Sequence, residues 1–246
     1  MTTNAEGLRA AAALGPYFAV DLTADEPGWL QLATLLEDPA LLRERVAVAR
    51  QLLADRCGLE PAAVDERATA SIYFLGLAAR LVSPAFGAAV LTGTVPVVDL
   101  ADVHWQPVDG GPIPIALTGS QSRTAGTRDG LAELLYSQVV ATAVAPVSLA
   151  VQREFRLSPK VVWGNVTSAI AGAATMIGLA RPESASMATQ LAARVLATGP
   201  LVGMGRYVHA DPARPEQQFA RNNCCLFYRI PGGGICADCV LVRLSA

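Results

Sequence analysis

The chain has 246 residues, of which 52% are apolar and 16% charged; roughly 25% charged is ordinary for a globular protein, so this composition excludes disorder. Nineteen Lys and Arg stand against 21 Asp and Glu, a net charge of −2, and without a basic excess to neutralise phosphates nucleic-acid binding is excluded as an expectation. The length provides for a large core in one domain or two modest ones.

The first residues carry Glu6 and Arg9 ahead of an Ala-rich run broken by Gly15 and Pro16, which is not the pattern of a secretory leader. Trp29, Leu30, Leu32, Ala33, Leu35 and Leu36 form an apolar face that predicts helix up to Asp38-Pro39, and the pattern resumes over residues 40–53. A further helix is expected over residues 62–82, stopped by Ser83-Pro84. Between residues 95 and 117 short β-prone runs surround Asp109-Gly110-Gly111, which predicts a hairpin. Helix returns over residues 128–144, with Pro146 separating it from 147–157. Ser158-Pro159 is an N-cap and N1 pair for a long helix. Arg181-Pro182-Glu183 opens another helix, and Gly199-Pro200 ends it. From there Gly, Pro and Cys replace Ala and Leu, with short strands expected around turns.

Residues 81–98, 134–152 and 161–180 are long and uncharged, but they contain Pro84, Pro96, Pro146, Asn165 and many small polar residues. They are read as buried elements of a cytoplasmic protein with no membrane span. The expected class is therefore α+β: a mainly helical body over residues 1–202 with a central β hairpin, and a small cysteine-rich segment over residues 203–246.

Four of the five cysteines lie in that segment, as Cys224-Cys225, ten residues, then Cys236-Ala237-Asp238-Cys239. In a reducing compartment such clusters bind metal or carry out redox chemistry. The intervening residues read as a β-prone half, 226–230, then Pro231 and three glycines, a turn able to bring Cys236 back beside the pair. Glycines there, Gly233 among them, let backbone approach a ligand and leave N–H groups free. The spacing matches neither two C-x-x-C zinc knuckles nor a bacterial ferredoxin. Adjacent cysteines in extended backbone point apart, which favours an iron–sulfur cluster and leaves zinc and disulfides open.

The Cys-Cys-x10-Cys-x2-Cys tail, with Arg221 before the pair and the glycine-rich turn, resembles the FhuF-like ferric-siderophore reductases. Trp163-Gly164-Asn165 on a helix is similar in kind to many members, whereas Val240 stands where proline is expected after the last cysteine. The resemblance implies a 2Fe–2S cluster on Cys224, Cys225, Cys236 and Cys239. It also implies one-electron reduction of Fe(III) in a siderophore complex, releasing Fe(II). Hydroxamate complexes are favoured, because tris-catecholates hold Fe(III) far more firmly.

No dinucleotide fingerprint is present, since Gly203-x-Gly205 lacks a third glycine and a βαβ setting. The single lysine, Lys160, makes no P-loop, and Gly119-Ser120-Gln121 is no nucleophile elbow. Electrons are therefore expected from a separate donor, a ferredoxin or a reduced flavin or flavoprotein. Arg221 and Arg229 flank the pair, with Arg206 and Arg214 close in sequence; their guanidinium groups either favour the reduced cluster or are solvated. Cys57 is expected to be a lone thiol outside the ligand set. His104, on the hairpin beside Trp105, is a structural residue or a cleft-lining one; His209 is the other histidine. The competing function is a non-catalytic zinc- or cluster-bearing accessory protein or redox sensor.

Overall fold

A computed structural model describes residues 4–208 and 219–241. The class is α+β, a helical body carrying small antiparallel sheets. Its helices are α1 (Asn4–Ala12), α2 (Thr34–Glu37), α3 (Pro39–Cys57), α4 (Glu66–Thr92), α5 (Arg128–Leu135), α6 (Ala145–Phe155), α7 (Pro159–Ala180) and α8 (Ala185–Val195).

Helix α4 is the central strut. Asp65 caps it through its carboxylate, which accepts from the Ala68 amide at 2.9 Å. It does not stop at Pro84, as the sequence predicts, but runs on to Thr92 with Ser83 through Ala89 buried. Proline removes one ladder bond and strains the turn before it, yet burial of that stretch against α1 outweighs the loss. The two helices approach so closely that a Cβ on Gly87 would stand 2.9 Å from that of Ala11. Arg80 is buried in the same region and donates to three carbonyls, Pro16, Ala19 and Ile113, at 2.6–2.7 Å. These bonds tie the N-terminal loop and the hairpin to α4.

The predicted hairpin forms. Strands β3 (Val103–Trp105) and β4 (Ile115–Leu117) pair antiparallel, with Val103 opposite Leu117. Gly111 takes φ 80° in the connection. The predicted helix over residues 29–36 is only partly present, because Leu30–Gln31 extends instead as β1 and pairs with β3, Leu30 opposite Trp105. Only the single turn α2 follows. Sheet pairing with a buried Trp105 wins over helical periodicity in a run this short. Strands β2 (Thr94–Pro96) and β5 (Ser122–Thr124) form a second antiparallel pair.

The predicted break at Pro146 is absent. A π-helical stretch, Tyr136–Val144, joins α5 to α6 without interruption. Wider i→i+5 bonding just before the proline shifts the ladder so that its missing N–H falls at the start of the next α turn. Ser158 caps α7 as predicted, with its hydroxyl accepting from Val161 at 3.3 Å. Helix α8 ends before Gly199, which takes φ 49°.

Three helices, Glu66–Thr92, Arg128–Phe155 and Pro159–Ala180, are long and apolar enough to cross a membrane by length and composition. More than half of the first and third is buried inside this fold, and somewhat less than half of the second.

Strands β6 (Gly205–Tyr207) and β7 (Phe219–Arg221) pair antiparallel and deliver the chain to the first cysteine pair. His209 and Arg214 lie outside the described residues.

Candidate metal centre

The cysteine segment is seated on α4 and α7 by a buried polar chain. Asn165 on α7 is fully buried; its amide donates to Ser71 of α4, to the carbonyl at 2.7 Å and to the hydroxyl at 3.0 Å. Ser71 Oγ donates in turn to the Cys225 carbonyl at 2.7 Å. On its other side Asn165 Oδ1 accepts from Arg221 Nη1 at 2.8 Å. Arg221 Nη2 reaches the Val161 carbonyl at 3.3 Å and Asn223 Oδ1 at 3.1 Å. The Arg221 amide donates to the Asp238 carbonyl at 3.0 Å, and Ser168 of α7 hydrogen-bonds the Asp238 carboxylate. A Cβ on Gly164 would fall 1.8 Å from Asn223 Oδ1, so only glycine there lets the segment lie so close to α7.

Around the sulfurs the backbone is specialised. The β-prone run 226–230 is not a strand: Leu226 takes φ 69° and Phe227–Arg229 form a 3-10 turn. A left-handed conformation in a non-glycine residue is costly and marks a constrained site. Here it aims successive amides at sulfur: Leu226 N–H donates to Cys224 Sγ at 3.3 Å, and the Phe227 amide bonds Cys225. Cys225 and Cys236 Sγ lie 3.4 Å apart. Cys225 and Cys239 are buried, Cys224 and Cys236 half-buried.

Electrostatics follow this geometry. The hydrogen bond from Cys236, opposed by burial but helped by the Phe227 amide and the Arg221 charge, pulls the Cys225 thiol down to about 6. The same sulfur pairing, with burial and the nearby Asp238 carboxylate, holds Cys236 well above the ordinary thiol range. Burial also pushes Cys224 up, against the Leu226 amide and Arg221.

Arg221 is 1% exposed and, among the described residues, has no carboxylate partner, and its Nε is buried without an acceptor. A buried cation with no counter-charge is expensive. An anionic group held by the neighbouring thiolates would offset that cost, and a four-thiolate 2Fe–2S cluster is such a group. Among the described residues no three His, Cys, Asp or Glu side chains converge on one ion-sized point. Adjacent cysteines with a second pair returned beside them suit a sulfide-bridged pair of irons better than one tetrahedral ion. The residues therefore fit the cluster.

Other predicted residues are placed differently. Arg221 is not solvated, whereas Arg229 is exposed and ion-pairs with Asp65 at 3.1 Å. Arg206 is exposed and donates to Asn222 Oδ1 at 2.5 Å. Gly233 has no positive φ, which belongs to Gly232 and Gly234; its role is close approach, since a Cβ there would meet the Ile230 carbonyl oxygen at 3.0 Å. Cys57 is exposed and donates to the Pro231 carbonyl at 2.9 Å, beside the turn. His104 is half-buried, and among the described residues its Nδ1 has no hydrogen-bond partner. Ser71, Ser168 and Asp238 carried no sequence signal of their own, and Asn165 was legible only through its place after Trp163-Gly164.

A family model described as the FhuF 2Fe–2S C-terminal domain matches residues 221–241. No curated protein matches the chain. Among solved structures, the aerobactin synthetase IucC from a hypervirulent pathotype of Klebsiella pneumoniae superposes with a TM-score of 0.44 at 14% identity. That superposition covers 83% of this chain and 37% of the synthetase; the chain thus spans little more than a third of that protein.

Proposed function

Because the chain carries an FhuF-type 2Fe–2S C-terminal domain, which ties it to siderophore iron, we propose that it is a ferric-siderophore reductase of the cytoplasm. Cys224, Cys225, Cys236 and Cys239 are the ligands in this reading, and Cys57 is not. The bound 2Fe–2S cluster supplies a reductant that stores and gives up one electron. A separate donor, a ferredoxin or a reduced flavin or flavoprotein, provides that electron, and Fe(III) in the siderophore complex takes it up and leaves as Fe(II). The protein residues hold and tune: Asn165 and Ser71 fix the Cys225 backbone, the Leu226 and Phe227 amides donate to sulfur, and Arg221 balances charge. The helical body over residues 1–202 docks the complex, and its long apolar helices serve as core rather than as membrane spans.

The observation that carries this reading is the buried Arg221 beside the thiols, which has no carboxylate partner among the described residues. No acid–base pair is required, because the chemistry is a single electron transfer to iron. Hydroxamate complexes are the proposed substrates. Each ~30 mV of unfavourable one-electron potential costs about 0.7 kcal/mol, so tris-catecholates lie too far uphill. The test is to purify the protein anaerobically, reduce it with dithionite, remove the excess, and mix it with each ferric complex beside a ferrous trap. Fast reoxidation by hydroxamates and slow reoxidation by catecholates supports the proposal. A colourless protein with stoichiometric zinc, or no reoxidation by any ferric siderophore, replaces it with an accessory role.

A further inference from the structure

A cavity of about 340 Å³ lies between α3, α4 and the hairpin tip. Thr69, Tyr73 and Gly76 line it from α4, and Arg45, Leu53 and Arg56 from α3, spacings that each mark one helix face. The cysteine segment occupies the neighbouring face of the same turns of α4. There Ala68 packs on Ile230, and Ser71 holds the Cys225 carbonyl. Leu53 belongs to both surroundings, since it lines the cavity and also packs on the small apolar cluster of Ala54, Val64, Ala68 and Ile230, against which Leu226 and Phe227 rest as well. Cavity and cysteine segment thus flank the same stretch of α4.

The lining has one sign of charge. Arg45 and Arg56 line the cavity, and no carboxylate does. Arg45 is buried, donates to the Val108 carbonyl at 2.5 Å, and has Glu44 and Asp109 no closer than 3.8 Å. Arg56 is exposed. The buried Tyr73 oxygen faces the Arg45 guanidinium, and among the described residues its O–H meets no acceptor, a free donor that favours an oxygen ligand. Burial, only partly offset by the Arg45 guanidinium, pushes this phenol up to about 12, so it stays protonated and able to donate at neutral pH.

We propose that this cavity receives an anionic oxygen-bearing arm of the ferric chelate, a carboxylate, with Arg56 and Tyr73 as its donors. The volume admits one arm and leaves the iron core outside it. This inference rests on the reductase reading and adds that the preferred hydroxamate complex carries a free carboxylate.

Ferric desferrioxamine B and its N-succinyl derivative share one hydroxamate core, but succinylation replaces a terminal ammonium by a carboxylate. Calorimetry on the cluster-loaded protein with the redox-inert gallium(III) complexes of both reads binding alone. The succinyl complex is expected to bind roughly tenfold more tightly, with the preference shrinking as salt rises. Arg56→Gln and Tyr73→Phe should each erase most of the preference while leaving thermal midpoint and cluster absorbance unchanged. Equal binding of the two complexes, or a preference untouched in Arg56→Gln, overturns the proposal. The ferric forms separate the two failures. Electron transfer to both complexes without a binding preference removes the cavity assignment and keeps the reductase. An Arg56-dependent preference without electron transfer removes the reductase and keeps the cavity.

Discussion

Ser71 Oγ donates a 2.7 Å hydrogen bond to the carbonyl of Cys225, across 154 residues of sequence. The bond fixes the main chain of a cysteine, not its sulfur, and leaves the thiolate free to bind metal. Because Ser71 is itself held by Asn165, and Asn165 by Arg221, two core helices hold the cysteine pair through its backbone.

That arrangement predicts a strong effect from Asn165→Ala. The substitution removes the donor that holds Ser71 and leaves Arg221 buried with one acceptor fewer, at a cost on the order of 2–4 kcal/mol. Gly164→Ala should act on the same contact by steric clash with Asn223, although alanine favours helix. Both variants are expected to retain helical circular dichroism while losing iron and acid-labile sulfide on gel filtration. Full iron content in both would show that the polar chain is not needed to seat the cysteines.

Serine at Cys224, Cys225, Cys236 or Cys239 should lower iron and sulfide content or shift the optical spectrum. Cys57→Ser should change neither, since this thiol is exposed and donates to the Pro231 carbonyl. Bleaching by Cys57→Ser would require a different ligand set.

The helices whose ends carry local signals were legible in the sequence: Ser158 stands where α7 begins, and Gly199, at φ 49°, follows the end of α8. So was the hairpin, because its glycines and alternating runs are short-range features. Pro84 and Pro146 misled because burial of α4 and the π-helical stretch are tertiary outcomes that no local rule contains. The cysteines were legible as a spacing. Their support was not, since Ser71, Ser168 and Asp238 are ordinary polar residues until the fold brings them together across 154 and 70 positions. Arg221 was visible but its burial was not, and burial turns a surface charge into a counter-ion.

Gly233→Val is expected to hinder cluster assembly through packing rather than through φ. Its side chain would press on the Ile230 carbonyl and the Phe227 ring, displacing the turn that returns the chain to Cys236. Gly126→Val, at an open loop position with nothing within 4 Å of its Cβ, serves as the control. Equal cluster yield from the two variants would make the turn a mere linker.

The acid side of the stability curve should depend on Asp65. Burial works to raise its pKa, but the Ala68 amide and Arg229 together lower it below the ordinary 3.8. A depressed carboxylate contributes stability that is fully present above its unfolded value and lost as pH falls through the folded one. Asp65→Ala should therefore cost about 1 kcal/mol at pH 7, as the loss of a helix cap does, and progressively less below pH 4. Denaturant melts of both proteins from pH 7 to pH 3 measure this; a pH-independent difference would mean the carboxylate charge plays no part.

Arg221→Gln tests the counter-charge directly. Reduction adds one negative charge to a group that is already anionic, so a nearby buried cation stabilises the reduced form more than the oxidised one and raises the potential. A buried unit charge a few ångströms away is worth ~2–3 kcal/mol at an effective dielectric near 20. Through the one-electron conversion that corresponds to a midpoint lower by on the order of 100 mV in the variant. Glutamine keeps one donor for Asn165 while removing the charge, so the variant should still load some cluster for spectroelectrochemistry. Arg206→Gln, at an exposed site bonded to Asn222, should move the midpoint far less because water and salt screen it. If the two variants shift the potential equally, or Arg221→Gln leaves it unchanged, the buried guanidinium serves packing alone.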